Sequence, residues 1–297
     1  MFHRGFTGHW LAASAAVLLF LPPCSILPAF AVQKIDAQLS VRDILILPGQ
    51  PARIEAVLTR NGLAGRQGLG GEQLELVIEG KSAGKAMTGG DGRAFLDYTP
   101  KVRGNHEIIV KLAPNPRVAS PDAKAVLGAW ERRRPILLVE VVAVLQSGKP
   151  STLPVPSLPI PLGGQEDPVP ASEAADELTR LAQFFYNVIY VSWVSKGAAD
   201  PFSDRQKDVR EWLARQKFPR GLAMAVAPGE EALGAKIDQL RADGWTNVKA
   251  GIGRNRAFAE VLVAHRMDVV IVPEPDKGEV PKKAKTVKEW KDIRKRL

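Results

Sequence analysis

The sequence predicts two successive fold classes: a β-sandwich over residues 32–113, then an α/β doubly wound parallel sheet over residues 135–275. Three observations lead there. Residues 33–112 carry short segments of alternating apolar and polar side chains broken by glycine-rich turns, the pattern of antiparallel strands with one solvated face. Ile136 to Leu145 is a continuous apolar run with one charge, Glu140, which suits a central strand buried on both faces. Downstream of it, short apolar runs alternate with helical periodicity, the rhythm of βα units.

Residues 1–31 read as a signal peptide. A basic start at Arg4 precedes an apolar run from Trp10 to Leu21, and Ala29-Phe30-Ala31 forms a small-x-small cleavage site before Val32. The run ends at Pro22 and Pro23 and falls short of the roughly 20 apolar residues needed to span a bilayer. Export to the periplasm or the exterior is therefore expected. Cys24 is the only cysteine, so cleavage after Ala31 removes thiol chemistry and disulfides together. The formal net charge is +9, but residues 276–297 hold nine Lys/Arg against four Asp/Glu, so much of the excess belongs to the tail. With no accompanying recognition motif, nucleic acid is not an expected partner.

In the first half, residues 52–58, 72–78, 94–98 and 106–110 are the expected strands, with Asp91-Gly92 as a tight turn. Thr88 to Ala94, Tyr98-Thr99-Pro100 and Gly104-Asn105-His106 resemble bacterial immunoglobulin-like domains over about eighty residues. Residues 114–134 read as a linker. In the second half, residues 136–145, 187–191, 221–226, 248–251 and 269–272 are the expected strands. The intervening helices are placed after Ser172 and Ser203 as caps, over Leu233–Leu240 up to a stop at Gly244, and over Arg256–Ala264. The seven-proline stretch of residues 147–171 reads as irregular loop. Right-handed crossovers would put a ligand crevice beyond the carboxyl ends of these strands.

The second half resembles the haloacid dehalogenase (HAD) superfamily, its phosphatidate-phosphatase-like branch in particular. The resemblance rests on four ordered segments between Pro135 and Pro275: the strand Ile136–Val144, Val188-Ile189-Tyr190-Val191-Ser192, the stretch Arg210–Arg215 with Phe218–Gly221, and Gly251–Phe258. It implies a Rossmannoid fold and a phosphoryl-transfer site. In that family one aspartate is the nucleophile, a second two residues on is the general acid/base, and acidic residues after the fourth strand complete a Mg2+ site. The corresponding positions here are degenerate: Glu140, Val142, Arg254 and Phe258, with Ala143-Val144 in place of Gly-Thr. A glutamate carries its carboxylate roughly 1 Å or more further out, and misplacement on that scale costs about 100-fold.

With the signal peptide giving export, the resemblance implies a pseudophosphatase, non-catalytic and without metal or other cofactor. It would bind a protein, a cell-envelope component or an anionic ligand, or act as a spacer in an envelope assembly. The rival reading is a HAD phosphatase of weak or atypical activity through Glu140. Ser192 and Lys236 are the surviving phosphate-binding positions, with Lys249 as a lesser candidate and Arg254 as a tethered cation. A carboxylate in an apolar strand needs a partner, and a salt bridge from Glu140 to Arg254 or Lys236 is the expected one. His106, in a strand, and His265, on a helix, are too isolated for a zinc site or a catalytic triad. Gly251-Ile252-Gly253 lacks the third glycine of a dinucleotide fingerprint.

In the basic C-terminal tail, residues 276–297, Val287, Trp290, Ile293 and Leu297 fall on one side of a helix and Lys288, Lys291, Lys295 and Arg296 cover much of the rest. Such a helix would lie on an anionic membrane or acidic surface, or dock on its own domain.

Overall fold

The computed structural model describes residues 34–62, 65–146, 168–194, 204–227, 229–275 and 280–297. The expected signal peptide, most of the proline-rich loop and the Ser203 cap lie outside the described residues.

Among the described residues, ten strands build the first half: β1 (Ile35–Val41), β2 (Ile44–Ile46), β3 (Ala52–Gly62), β4 (Gly65–Gly68), β5 (Gln73–Ile78), β6 (Lys81–Met87), β7 (Arg93–Tyr98), β8 (Gly104–Leu112), β9 (Val118–Ala119) and β10 (Ala123–Ala129). They form two sheets. One runs β4-β3-β1-β9 with β7 also paired to β3, and the other runs β2-β10-β8-β5-β6. The inward residues of the alternating segments, such as Ile54, Leu58, Leu74, Leu76, Ile108 and Val110, meet in a common core between the sheets.

The second half has β11 (Ile136–Glu140), α1 (Ala174–Phe184), β12 (Asn187–Trp193), α2 (Asp204–Arg215), β13 (Leu222–Val226), α3 (Glu230–Ala242), β14 (Val248–Gly253), α4 (Arg256–Ala264), β15 (Asp268–Ile271) and β16 (Lys285–Thr286). The six strands are all parallel, in the order β13-β12-β11-β14-β15-β16. Leu137, Val139, Val188 and Tyr190 pack with α1 and α2 on one face. Ile136, Leu138, Ile189 and Val191 pack with α3 and α4 on the other. The strand sequence turns back at β11 and β14, whose carboxyl ends therefore flank the crevice where ligands of such sheets bind.

Four expectations need correction. The segment expected as a linker supplies β9 and β10, and β10 is a shared wall: Ala123, Ala125, Leu127 and Ala129 enter the sandwich core, whereas Val126, with Trp130 just beyond, enters the α/β core. A chain buried on both faces cannot act as a flexible connector, and residues 34–297 form one compact unit. The first strand of the parallel sheet stops at Glu140, and Val141–Val144 wind into a 3-10 helix whose Ala143 and Val144 are buried. Ser172 does not cap α1; the helix starts after Glu173, which takes a positive φ of 61°. Among its described residues the tail forms no long amphipathic helix but adds β16 to the sheet and ends in a 3-10 turn, Trp290–Lys295. Val287, Trp290 and Ile293 are buried in the core beside α1, and Arg294 pairs with the buried Glu177 of that helix at 2.5 Å. The stop at Gly244 fits the sequence reading: α3 ends at Ala242 and Gly244 takes φ +88°.

Candidate functional site

Glu140 is the last residue of β11 and has no exposed surface. Ile136 and Leu138 face α3 and α4, so strand alternation carries the Glu140 side chain to the same side. There it meets four N–H donors. Oε1 accepts from the Trp193 indole and the Asn255 side-chain amide, both at 2.6 Å. Oε2 accepts from the backbone N–H groups of Arg254 and Asn255 at 2.7 and 3.0 Å. Asn255 is the N-cap of α4 yet makes no side-chain cap bond of its own. The carboxylate thus stands at the positive end of α4, where a negative charge is favoured.

The glycines of β14 make this approach close. A Cβ on Gly253 would lie 2.3 Å from the Phe258 ring and 3.1 Å from Glu140 Oε2, and one on Gly251 would lie 2.0 Å from Leu262. Phe258, at the position where the resemblance implies a metal ligand, is fully buried in the core under α4.

The other candidate residues divide. Arg254 is beside Glu140, but through its backbone. Its guanidinium turns away and donates to the Leu145 carbonyl, so the expected Glu140–Arg254 salt bridge is replaced by a main-chain bond. Burial lowers the Arg254 pKa, opposed by the Glu140 charge. Val142 lies half-buried in the 3-10 helix. Ser192 is buried near the carboxyl end of β12, but it follows Val188 and Tyr190 onto the α1 and α2 face, opposite Glu140. Lys236 is exposed in the second turn of α3, and Lys249 is exposed on β14; neither touches Glu140. The convergence expected of four side chains is therefore reduced to Glu140 and the Arg254 main chain.

Sequence reasoning missed Trp193 and Asn255, the two residues whose side chains hold Glu140. Both had a signal. Trp193 is the next residue on Glu140's side of β12, and Asn255 immediately precedes a helix, where an amide is common.

The shell around Glu140 is unsuited to a metal ion. All four contacts are N–H donors, which a cation cannot share, whereas Mg2+ takes oxygen ligands in octahedral array. Among the described residues no group of three or more His, Cys, Asp or Glu side chains is placed to hold a metal.

A second polar cluster joins the two halves. Asp43, between β1 and β2, accepts from the Arg210 guanidinium of α2 at 3.0 Å and from the backbone N–H groups of Val126 and Ala223 at 2.9 and 2.6 Å. Burial pushes its carboxyl above the usual range, against the pull of Arg210 and the two N–H groups. Nearby, Trp130 donates to Asn105 at 2.6 Å and stacks edge-on against Trp245. These contacts fix the sandwich against the parallel sheet.

No family model matches this chain, and no curated protein does. Among solved structures, it is similar to fibronectin(III)-like modules of Clostridium thermocellum CbhA, with 15% identity over 31% of this chain and 93% of that one and a TM-score of 0.23. It is also similar to the D,D-heptose 1,7-bisphosphate phosphatase of B. bronchiseptica, solved with magnesium and phosphate, with 11% identity over 54% of this chain and 96% of that one and a TM-score of 0.38. The D0-D1 domain of intimin overlaps 35% of this chain and 56% of its own length, with 15% identity and a TM-score of 0.25. The neighbours of this chain thus include fibronectin-like modules and a phosphatase, each at low identity and partial overlap.

Proposed function

We propose that this is an exported, non-catalytic protein in which a HAD-like doubly wound domain, fixed to an immunoglobulin-like sandwich, works by binding a cell-envelope protein or an anionic ligand. The observation that carries this reading is the saturation of Glu140. A carboxylate nucleophile must offer a free lone pair to its substrate, and here each oxygen already holds two donors within 3.0 Å in a residue with no exposed surface. Freeing it would leave four N–H donors without their acceptor, at a cost of about 1–3 kcal/mol for each that stays shielded from water. The acid/base position is Val142 and the metal position Phe258, neither of which can exchange a proton or ligate a cation. Glu140 takes the place an incoming anion would take at the start of α4 and fills it from within the chain. The buried Asp43–Arg210 contact and the shared wall of β10 favour binding by a preformed surface, because little ordering is left to be done on association.

The test is a hydrolysis assay on small phosphomonoesters with and without Mg2+. No metal-dependent turnover is expected. Metal-stimulated hydrolysis that disappears in Glu140→Gln would instead make the protein a weak phosphatase acting through Glu140. Export is tested separately: the mature chain recovered from a secreting host should begin at Val32 by intact mass.

A further inference from the structure

We propose that the outer edge of β1 is a docking strip for an extended acidic peptide segment of a partner protein. β1 pairs with β3 over Ala37–Val41, but on its other side pairs with β9 only at Ile35 and Asp36. The Ile35 N–H reaches the Arg117 carbonyl of that side at 2.8 Å. Main-chain groups alternate in direction along a strand, so Leu39 and Val41 also turn theirs away from β3. No strand of the described residues meets them there.

Exposed strand edges are ordinarily blunted by charge, proline or a covering element, and the neighbouring edge of β10 shows such covering. Asp43 accepts the Val126 N–H at 2.9 Å and Arg210 donates to the Lys124 carbonyl at 3.0 Å. Nothing equivalent covers Leu39 and Val41 among the described residues. Their edge borders a cavity of about 240 Å³ that runs beside five successive β1 residues, with Lys124, Lys207 and Arg210 on its wall and no acidic side chain in its lining. Five residues span about 13 Å from first to last, four steps of roughly 3.3 Å, the length of a short added strand. Arg210 is balanced by Asp43. Lys124 and Lys207 have no carboxylate partner among the described residues.

An added strand would take affinity from main-chain bonds to Leu39 and Val41 and specificity from carboxylates reaching the two lysines. Every second residue of a strand points to the same side, so a segment with an acidic residue at alternate positions fits both demands. The proposal deepens the reading of the chain as a binding protein but fails separately from it: phosphatase turnover would refute that reading and leave peptide binding standing.

The experiment uses the full chain and a fluorescent, end-blocked nonapeptide alternating valine and glutamate. Saturable binding is expected, together with new hydrogen-exchange protection of the Leu39 and Val41 amides. A valine–lysine peptide should not bind. N-methylation of alternate peptide amides, which blocks strand pairing and leaves the protein untouched, should weaken binding at least tenfold, as should the double variant K124E/K207E. Several results would overturn the proposal: no binding of the valine–glutamate peptide, equal binding of the N-methylated peptide, or no loss in K124E/K207E. Protection of Leu39 and Val41 without peptide would do so too. If it rose with protein concentration it would assign the edge to a second copy, and if not, to a segment of the same chain.

Discussion

Glu140 and Asn255 are joined twice, once through the Asn255 backbone N–H at 3.0 Å and once through its side-chain amide at 2.6 Å. A residue at a helix start normally uses its side-chain oxygen to accept an N–H of its own first turn; Asn255 makes no such bond, and its side-chain nitrogen donates to a strand residue 115 positions earlier. The carboxylate thereby ties β11 to the loop between β14 and α4.

Replacing it should be costly in proportion to the donors abandoned. Glu140→Ala removes a fully buried carboxylate and leaves four part-buried donors without it, and a loss of about 3–5 kcal/mol is expected, as for a broken buried charge interaction. Glu140→Gln keeps one acceptor oxygen, and the Asn255 amide can turn to accept from the new NH2 group, so the loss should be nearer 1–3 kcal/mol. Urea unfolding of the three proteins measures both. Equal midpoints for Ala and Gln would mean that the acceptors are unimportant.

What could be read from sequence depended on whether a residue's partners lie on its own element. The periodicities of β3, β5, β8 and α4 are local, and those elements appear where expected. β10 gives no such signal, because it is buried on both faces and so lacks the two-residue alternation of a half-exposed strand. At the site, sequence marked Glu140 as a buried charge needing compensation, which it is. It pointed to Arg254 or Lys236 as the compensating cation, whereas the compensation comes from uncharged N–H groups, which no charge pattern reveals. Ser192 was misplaced for a simpler reason: reaching the carboxyl end of a strand does not decide which face a side chain takes.

Gly253 should tolerate no side chain. Its Cβ would sit 2.3 Å from the Phe258 ring, and neither strand nor helix can retreat without disturbing the Glu140 bonds. Gly253→Ala is expected to lose about 1–3 kcal/mol, the usual cost of overpacking a core. Phe258→Leu in the same protein should restore part of that loss, so the two changes are non-additive. An additive pair would show that the clash is relieved elsewhere.

Asp43 gives a pH dependence whose sign follows from its raised pKa. A carboxyl that is harder to ionise in the folded state binds its proton more readily there than in the unfolded chain. Its contribution to stability is therefore greatest below its ordinary value of 3.8 and declines as pH rises through the higher folded value. The stability of wild type relative to Asp43→Asn should fall over that interval. A relative gain with rising pH would mean that Arg210 outweighs burial. Asp43→Ala at neutral pH strands the Arg210 guanidinium and should cost about 3–5 kcal/mol.

The tail has only one apolar face, and the protein's own core uses it. Trp290 is 3% exposed and donates its indole N–H to the Ala143 carbonyl at 3.1 Å, in the 3-10 helix that follows Glu140. Ile293 is fully buried beside it, and Arg294 is held by Glu177. Inserting these side chains into a membrane would first require pulling them out, at about the cost of emptying a large core position. That cost is about 3–5 kcal/mol for Trp→Ala. Trp290→Ala is therefore expected to lower unfolding stability by that amount and to leave vesicle binding unchanged. Contact with anionic lipid, where it occurs, would run through exposed cations such as Lys288 and Arg296. It would weaken steeply as the screening length shrinks from ~10 Å at 0.1 M salt to ~3 Å at 1 M. Urea unfolding and co-sedimentation with phosphatidylserine vesicles, run on the same two proteins at both salt concentrations, separate the outcomes. Lost vesicle binding in Trp290→Ala with unchanged stability would show that the indole serves the membrane, and the docked tail would have to be abandoned.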